Sequence, residues 1–219
     1  MKMTFIGDIH ASYEALRHID TKTQGVNCFL GDFNLFGYEQ WFDRNDNPQS
    51  IKLKSRHWFI DGNHDNFKVL DMTQERPYQV AENIFHIPRG FVSGSVLFIG
   101  GAYSIDKTDR IWGVDWYPQE ECSWMEMGNI LTINKKIEVI VTHGVPSKSD
   151  NALMPYRSLD SSTNKFFDEV LQTFKPSLWI HGHHHKSLKY KIGDTQFRSL
   201  GCNERFRVDV PLNEEDWKV

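Results

Sequence analysis

Five short apolar runs along this chain each stop at a turn carrying aspartate, asparagine or histidine. Lys2 to Ile6 leads into Gly7-Asp8-Ile9-His10, Val26 to Leu30 into Gly31-Asp32, and His57 to Ile60 into Gly62-Asn63-His64-Asp65. Farther on, Glu138 to Val141 delivers Thr142-His143-Gly144, and Ser177 to Ile180 delivers His181-Gly182-His183-His184-His185. A buried strand feeding a glycine turn leaves polar side chains at the carboxyl end of a sheet, where open α/β sheets bind ligands. Any one such turn has an ordinary reading, since Asn and Asp bond their own backbone in turns. Five in one chain are hard to produce by packing alone.

The spacing between these runs predicts the rest of an α/β fold. Tyr13 to Ile19 has helical spacing with Ser12 as a possible cap, and a further helix is expected from Asn66. Residues 33–55 read as a long loop with one helical turn around Tyr38 to Phe42. Ile84 to Ile87, Phe91 to Ser93 and Ser95 to Gly100 are strand-like, and Glu120 to Ile130 is expected to be helical. A helix capped by Asp160 or Ser161 runs through Phe174, with Phe166, Phe167, Val170 and Leu171 on one face. Ser187 to Ile192 and Thr195 to Leu200 form a hairpin through Gly193-Asp194. The early β-loop-α-β order predicts a parallel sheet with right-handed crossovers. No repeat or linker divides the 219 residues, so residues 1–219 are expected to form one domain.

The net charge of −4 provides no basic stripe for a long nucleic-acid duplex. Three cysteines, Cys28, Cys122 and Cys202, are an odd number without ligand spacing and imply free thiols in a reducing compartment. None adjoins one of the five motifs in sequence, which disfavours covalent cysteine catalysis. No run approaches the ~18 apolar residues of a membrane span. The first residues enter a strand without a signal-peptide pattern, so the expected location is the cytoplasm.

Gathered at one sheet edge, Asp8, His10, Asp32, Asn63, His64, His143, His183 and His185 mix imidazole with oxygen donors. That mixture suits Mn, Fe, Zn or related divalent ions better than Ca or Mg alone. A carboxylate shared by two ions sets them roughly 3.5–4 Å apart, the spacing used in phosphate chemistry.

Taken in order, the blocks Asp-x-His, Gly-Asp, Gly-Asn-His-Asp, a later His and Gly-His-x-His resemble the calcineurin-like metallophosphoesterase superfamily, over Asp8 to His185. The resemblance implies a four-layer α/β/β/α sandwich. It also implies two divalent ions, manganese first, with Fe, Zn, Ni or Mg as alternatives. One ion would take Asp8, His10, Asp32 and His185, and the other Asp32, Asn63, His143 and His183. His64 would stand over the site as the non-ligand histidine, with Asp65 orienting it. The implied reaction is in-line attack of metal-bound hydroxide on a phosphomonoester or phosphodiester.

The segment Gly31-Asp32-Phe33-Asn34-Leu35-Phe36-Gly37 departs from the protein Ser/Thr phosphatase branch, with Leu35 and Phe36 where that branch has Asp and a phosphate-binding Arg. Gly100 to Lys107, Arg110 and Trp116-Tyr117-Pro118 look like a segment of small uncapped bacterial and phage members. The expected substrates are therefore small phosphoesters, nucleotides or other phosphorylated molecules. Arg110 and Asp106 are candidate substrate contacts, with ordinary surface charge as the competing reading. Trp112, Trp116, Tyr117 and Trp124 either wall a pocket or pack their loop. His181 is expected to pack beside the ligands, and His184 to point away from them. Two other functions stay open: a nuclease or nucleotide phosphodiesterase, and a non-catalytic binding module stabilised by metal.

Overall fold

The computed structural model of the chain describes residues 1–22, 25–34, 53–153 and 161–217. The loop expected over 33–55, with its helical turn, falls largely outside the described residues, as do Leu35, Phe36 and the alternative cap Asp160.

Two six-stranded sheets form the centre. In the first, β1 (Lys2–Ile6), β2 (Val26–Phe29), β3 (His57–Phe59) and β5 (Ile84–His86) run parallel. Antiparallel edges are added by β4 (Tyr78–Ala81), beside β5, and β12 (Arg205–Asp209), beside β1. In the second sheet, β7 (Val96–Ile99), β8 (Val139–Thr142), β9 (Leu178–His181) and β11 (Thr195–Ser199) are parallel. Its antiparallel edges are β6 (Phe91–Ser93) and β10 (Leu188–Ile192).

Side-chain alternation explains how the sheets stack. Phe5, Cys28, Leu30, Trp58, Val96, Phe98, Val139, Val141 and Ile180 share one core between the sheets. Their sequence neighbours point outward. Ile6, Phe29 and Phe59 meet Leu16 and Ile19 of α1 (Tyr13–Lys22). Leu97, Ile99, Ile140 and Trp179 meet Met127 and Ile130 of α2 (Trp124–Leu131), and Phe166, Phe167 and Val170 of α4 (Ser162–Phe174). The central strands are thus buried on both faces, which is why they read as continuous apolar runs. The result is the expected four-layer α/β/β/α sandwich, with a short α3 (Ser147–Leu153) on the second sheet's side of the chain order.

Two expected helices differ from the sequence reading. From Asn66 the chain makes turns, because Asn66 Oδ1 accepts the Lys68 N–H at 3.1 Å and offers the backbone an alternative to a helix. The helix expected from Glu120 begins at Trp124, where Ser123 Oγ accepts from Glu126 N at 3.3 Å and Glu126 accepts from Ser123 N at 2.7 Å. Ser161 does cap α4, accepting the Asn164 N–H at 3.1 Å.

Candidate metal centre

The ends of β1, β2, β3, β8 and β9 open on one side of the sandwich, and the five turns meet there. The bends are sharp. His10, Asp32, His183 and His185 have φ of 44°, 48°, 67° and 53°. Left-handed backbone costs a residue with a Cβ ~1–2 kcal/mol, so the surrounding contacts must hold these turns. Gly62 is there for space, since a Cβ on it would run into Asp32 Oδ1 and lie 2.8 Å from His143 Nε2.

Ligand atoms of Asp8, His10, Asp32 and His185 lie within 4.8 Å of one another. The His10 and His185 Nε2 atoms are 2.9 Å apart, and His185 Nε2 is 3.1 Å from Asp8 Oδ2. Asp8 is fully buried, and its Oδ2 has no hydrogen-bond partner among the described residues. A second set, Asp32, His143 and His183, is equally close and shares Asp32 with the first.

Asn63 joins the second set through its side-chain oxygen, 3.1 Å from His143 Nε2. Its amide is oriented from behind. Nδ2 donates to Ser104 Oγ at 3.0 Å, and that hydroxyl in turn donates to Glu120 Oε2 and accepts from Arg110 Nη1 at 2.7 Å. His143 is aimed in the same manner, with Nδ1 2.5 Å from the Leu30 carbonyl and Nε2 3.3 Å from Asp32 Oδ1. Partners of this kind fix the tautomer and ring direction of a metal-binding imidazole.

The charges ask for cations. Burial alone would raise the Asp32 pKa, yet His143, His64 and His10 hold this carboxyl far below the usual range. Burial opposes the His143 imidazolium, but Asp32 outweighs it and lifts that pKa to about 10. Burial holds His183 well below its ordinary value, in the neutral form that ligates metal. Converging lone pairs, an orphaned buried carboxylate oxygen and a shared aspartate fit two divalent ions.

The other predicted residues fall into distinct places. His64 borders a cavity of about 230 Å³ with Asn34, Arg110, Val114 and Tyr117, and its ring centroid is 5.5 Å from that of His10. Burial, its largest influence, lowers the His64 pKa despite the opposing pull of Asp32. Asp65 was expected to hold this imidazole. Instead its oxygens accept the backbone N–H groups of Asn34 and, at 2.7 Å, Gly62, so it ties two ligand loops together. Burial and the nearby Asp32 push Asp65 up to about 8.

Arg110 lines the cavity, but both terminal nitrogens are engaged internally by Ser104, Glu120, the Asn63 carbonyl and the Asp115 carbonyl. Asp106 is half-exposed, 3.6 Å from Arg110, and does not line the cavity. Of the aromatics, Tyr117 lines it, whereas Trp112 and Trp124 are exposed.

The extended strand ends at His181, and beyond Gly182 the chain gives way to left-handed turns at His183 and His185. His181 is buried, 2.9 Å from the Tyr190 hydroxyl, and His184 faces Asp150 at 2.8 Å. No cysteine adjoins a motif in sequence, yet Cys202 Sγ lies within 4.8 Å of a ring nitrogen of His10 and of His185. Nothing local announces this proximity, which arises from the turn between β11 and β12.

Fold and site together define a protein whose sheet edge gathers imidazoles and carboxylates into two linked sets. The chain belongs to the calcineurin-like phosphoesterases, whose family model matches residues 1–187. No curated protein matches it at a significant level. Among solved structures it is similar to the phosphopantetheinyl hydrolase PptH from Mycobacterium tuberculosis, at 11% identity and a TM-score of 0.46, covering 92% of this chain and 90% of that one. It is also similar to GAP50, the anchor in the inner membrane complex of Plasmodium, at 12% identity and a TM-score of 0.45, covering 91% and 71%. No described helix is long and apolar enough to cross a membrane.

Proposed function

We propose that the chain hydrolyses small phosphomonoesters or phosphodiesters with two divalent ions, manganese foremost. The observation that carries this reading is the sharing of buried Asp32 between two ligand sets, one completed by Asp8, His10 and His185, the other by Asn63, His143 and His183. Ions held there would supply Lewis acidity toward phosphoryl oxygens and a water ionisable near neutral pH.

The chain's own groups do the rest. The cavity beside His64 receives the ester, and His64 lends a hydrogen bond to a phosphoryl oxygen or the departing oxygen. Asp65 and Arg110 act behind it, the first bracing Gly62 and Asn34, the second bracing Asn63 and Ser104. Arg110 is therefore a positioning residue in this reading. Asp106, at the outer side of Arg110, contributes at most to the approach of substrate. Three free cysteines agree with a reducing compartment such as the cytoplasm.

A metal-supplemented assay on a nitrophenyl monoester beside its bis-ester tests the reading. Turnover on either one, abolished by chelation and restored by Mn²⁺, is the expected result. Stoichiometric metal without turnover on any ester would leave a binding module instead.

A further inference from the structure

The paired imidazoles of His10 and His185 have carboxylates and a thiol within reach. Toward the interior lie Asp8 and Asp32, the former presenting a buried Oδ2 without a hydrogen-bond partner, 3.1 Å from His185 Nε2. Beside them lies Cys202, an exposed free thiol whose sulfur is within 4.8 Å of one ring nitrogen of each imidazole. His10 and His185 are themselves open, with side chains 35% and 48% exposed, so an ion can arrive from solvent.

The thiol is held in place by its turn. Asn203 N donates to the Asp8 carbonyl at 3.1 Å, and Gly7 N to the Glu204 carbonyl at 3.0 Å. The Glu204 carboxylate accepts from Gly201 N and Ser187 Oγ, both at 2.9 Å, and pairs with Arg198. Cys202 is thus stitched to the same strand end that carries Asp8. Carboxylates suit harder ions, whereas thiolate with imidazole selects softer ones. Three protein ligands with an open position is a common arrangement for Zn²⁺.

We propose that His10, His185 and Cys202 form a site for a thiophilic divalent cation of the Zn²⁺ and Cd²⁺ class, overlapping the carboxylate set through the two imidazoles. As the Sγ–metal bond forms, the thiol proton leaves to solvent, while both imidazoles bind in their neutral form. The site competes with the Asp8–Asp32 set for the same two imidazoles. A soft ion bound here draws them away from the ion they share with the carboxylates. The proposal needs the ligands and not the hydrolytic activity.

The test titrates Mn²⁺-loaded protein with Cd²⁺, following the near-ultraviolet cadmium–thiolate absorption and the Mn²⁺ released by elemental analysis. In the wild type the band should grow to saturation as one Mn²⁺ leaves per Cd²⁺ bound. Cys202→Ser should lose the band and need at least ~10-fold more Cd²⁺ for half-release, the lower end of what loss of even an indirect metal partner costs. His10→Ala should lose the band at the same Cd²⁺ concentration. A band that persists in Cys202→Ser, a band untouched by His10→Ala, or Mn²⁺ release without a band each overturns the proposal. If the protein takes up no Mn²⁺, the manganese assignment of the proposed hydrolytic reading fails. The cadmium band and its loss in Cys202→Ser still decide this site.

Discussion

The Asn63 side-chain amide donates to Ser104 Oγ over 3.0 Å, which turns its oxygen toward His143. Ser104 reaches this position on a loop that shares no sequence motif with Asn63. Ser104→Ala removes the acceptor that distinguishes the two ends of the amide. We expect metal affinity at the His143–His183 set to fall ~10–100-fold, with the other set nearly unaffected. Equilibrium dialysis at limiting Mn²⁺ checks this, and unchanged affinity at both sets would contradict it.

His64 stands apart from the ligand sets. His64→Ala should keep its metal while turnover falls ~10²-fold or more. The loss should be smaller for nitrophenyl esters than for alkyl esters, whose leaving oxygen needs more help. His143→Ala should lose metal and activity together. Elemental analysis beside kcat on both ester classes separates these outcomes, and metal loss in His64→Ala would remove His64 from its assigned role.

Directly before the Gly62 turn, Asp61 is buried against the Arg89 guanidinium, with Arg89 Nε 3.0 Å from Asp61 Oδ2 and His86 Nε2 3.2 Å from Oδ1. Arg89→Met leaves a buried carboxylate without its cation and should cost ~3–5 kcal/mol in urea unfolding. Adding Asp61→Asn should recover part of that loss. A double variant as unstable as the sum of the two single ones would argue against charge burial as the cause.

Far from the metal centre, buried His57 faces Asp20 at 3.0 Å and Asn27 at 3.3 Å. Burial, opposed by Asp20, holds its pKa below the ordinary value, so the unfolded chain takes up a proton first as pH falls. The stability this histidine contributes is complete above about pH 6.5 and is lost on acidification below it. Asp20 is also held low: burial opposes this, but the Lys54 and Ser55 N–H groups and His57 prevail. Its contribution disappears only farther into acid. Between about pH 6.5 and the folded pKa, His57→Gln should show a stability slope shallower than wild type by up to about 1.4 kcal/mol per pH unit. Urea melts across that range check it; parallel slopes would refute the assignment.

The ligand strands were legible because each is buried on both faces and stops abruptly in polar chemistry. Ser123-Trp124-Met125-Glu126 carries the capping box that starts α2, a signal the expected helix from Glu120 does not use. Other elements had no such signal. Arg205–Asp209 alternates charge with partial burial and acquires its strand identity from pairing with Lys2–Ile6, two hundred residues earlier in the chain. Tyr78–Ala81 is another edge strand, fixed by its partner Ile84–His86 across a bulge. The proximity of Cys202 to His10 has the same origin, since no local periodicity encodes which loops meet.

The left-handed turns at His10, Asp32, His183 and His185 set folding and chemistry against each other. Glycine adopts such a backbone without the Cβ penalty. Replacing His185 with Gly should therefore stabilise the metal-free chain by up to ~1 kcal/mol while discarding a ligand. A chain shaped only to stay folded would shed these side chains first. Their presence marks a scaffold held short of its own optimum, whose deficit is made good when cations arrive.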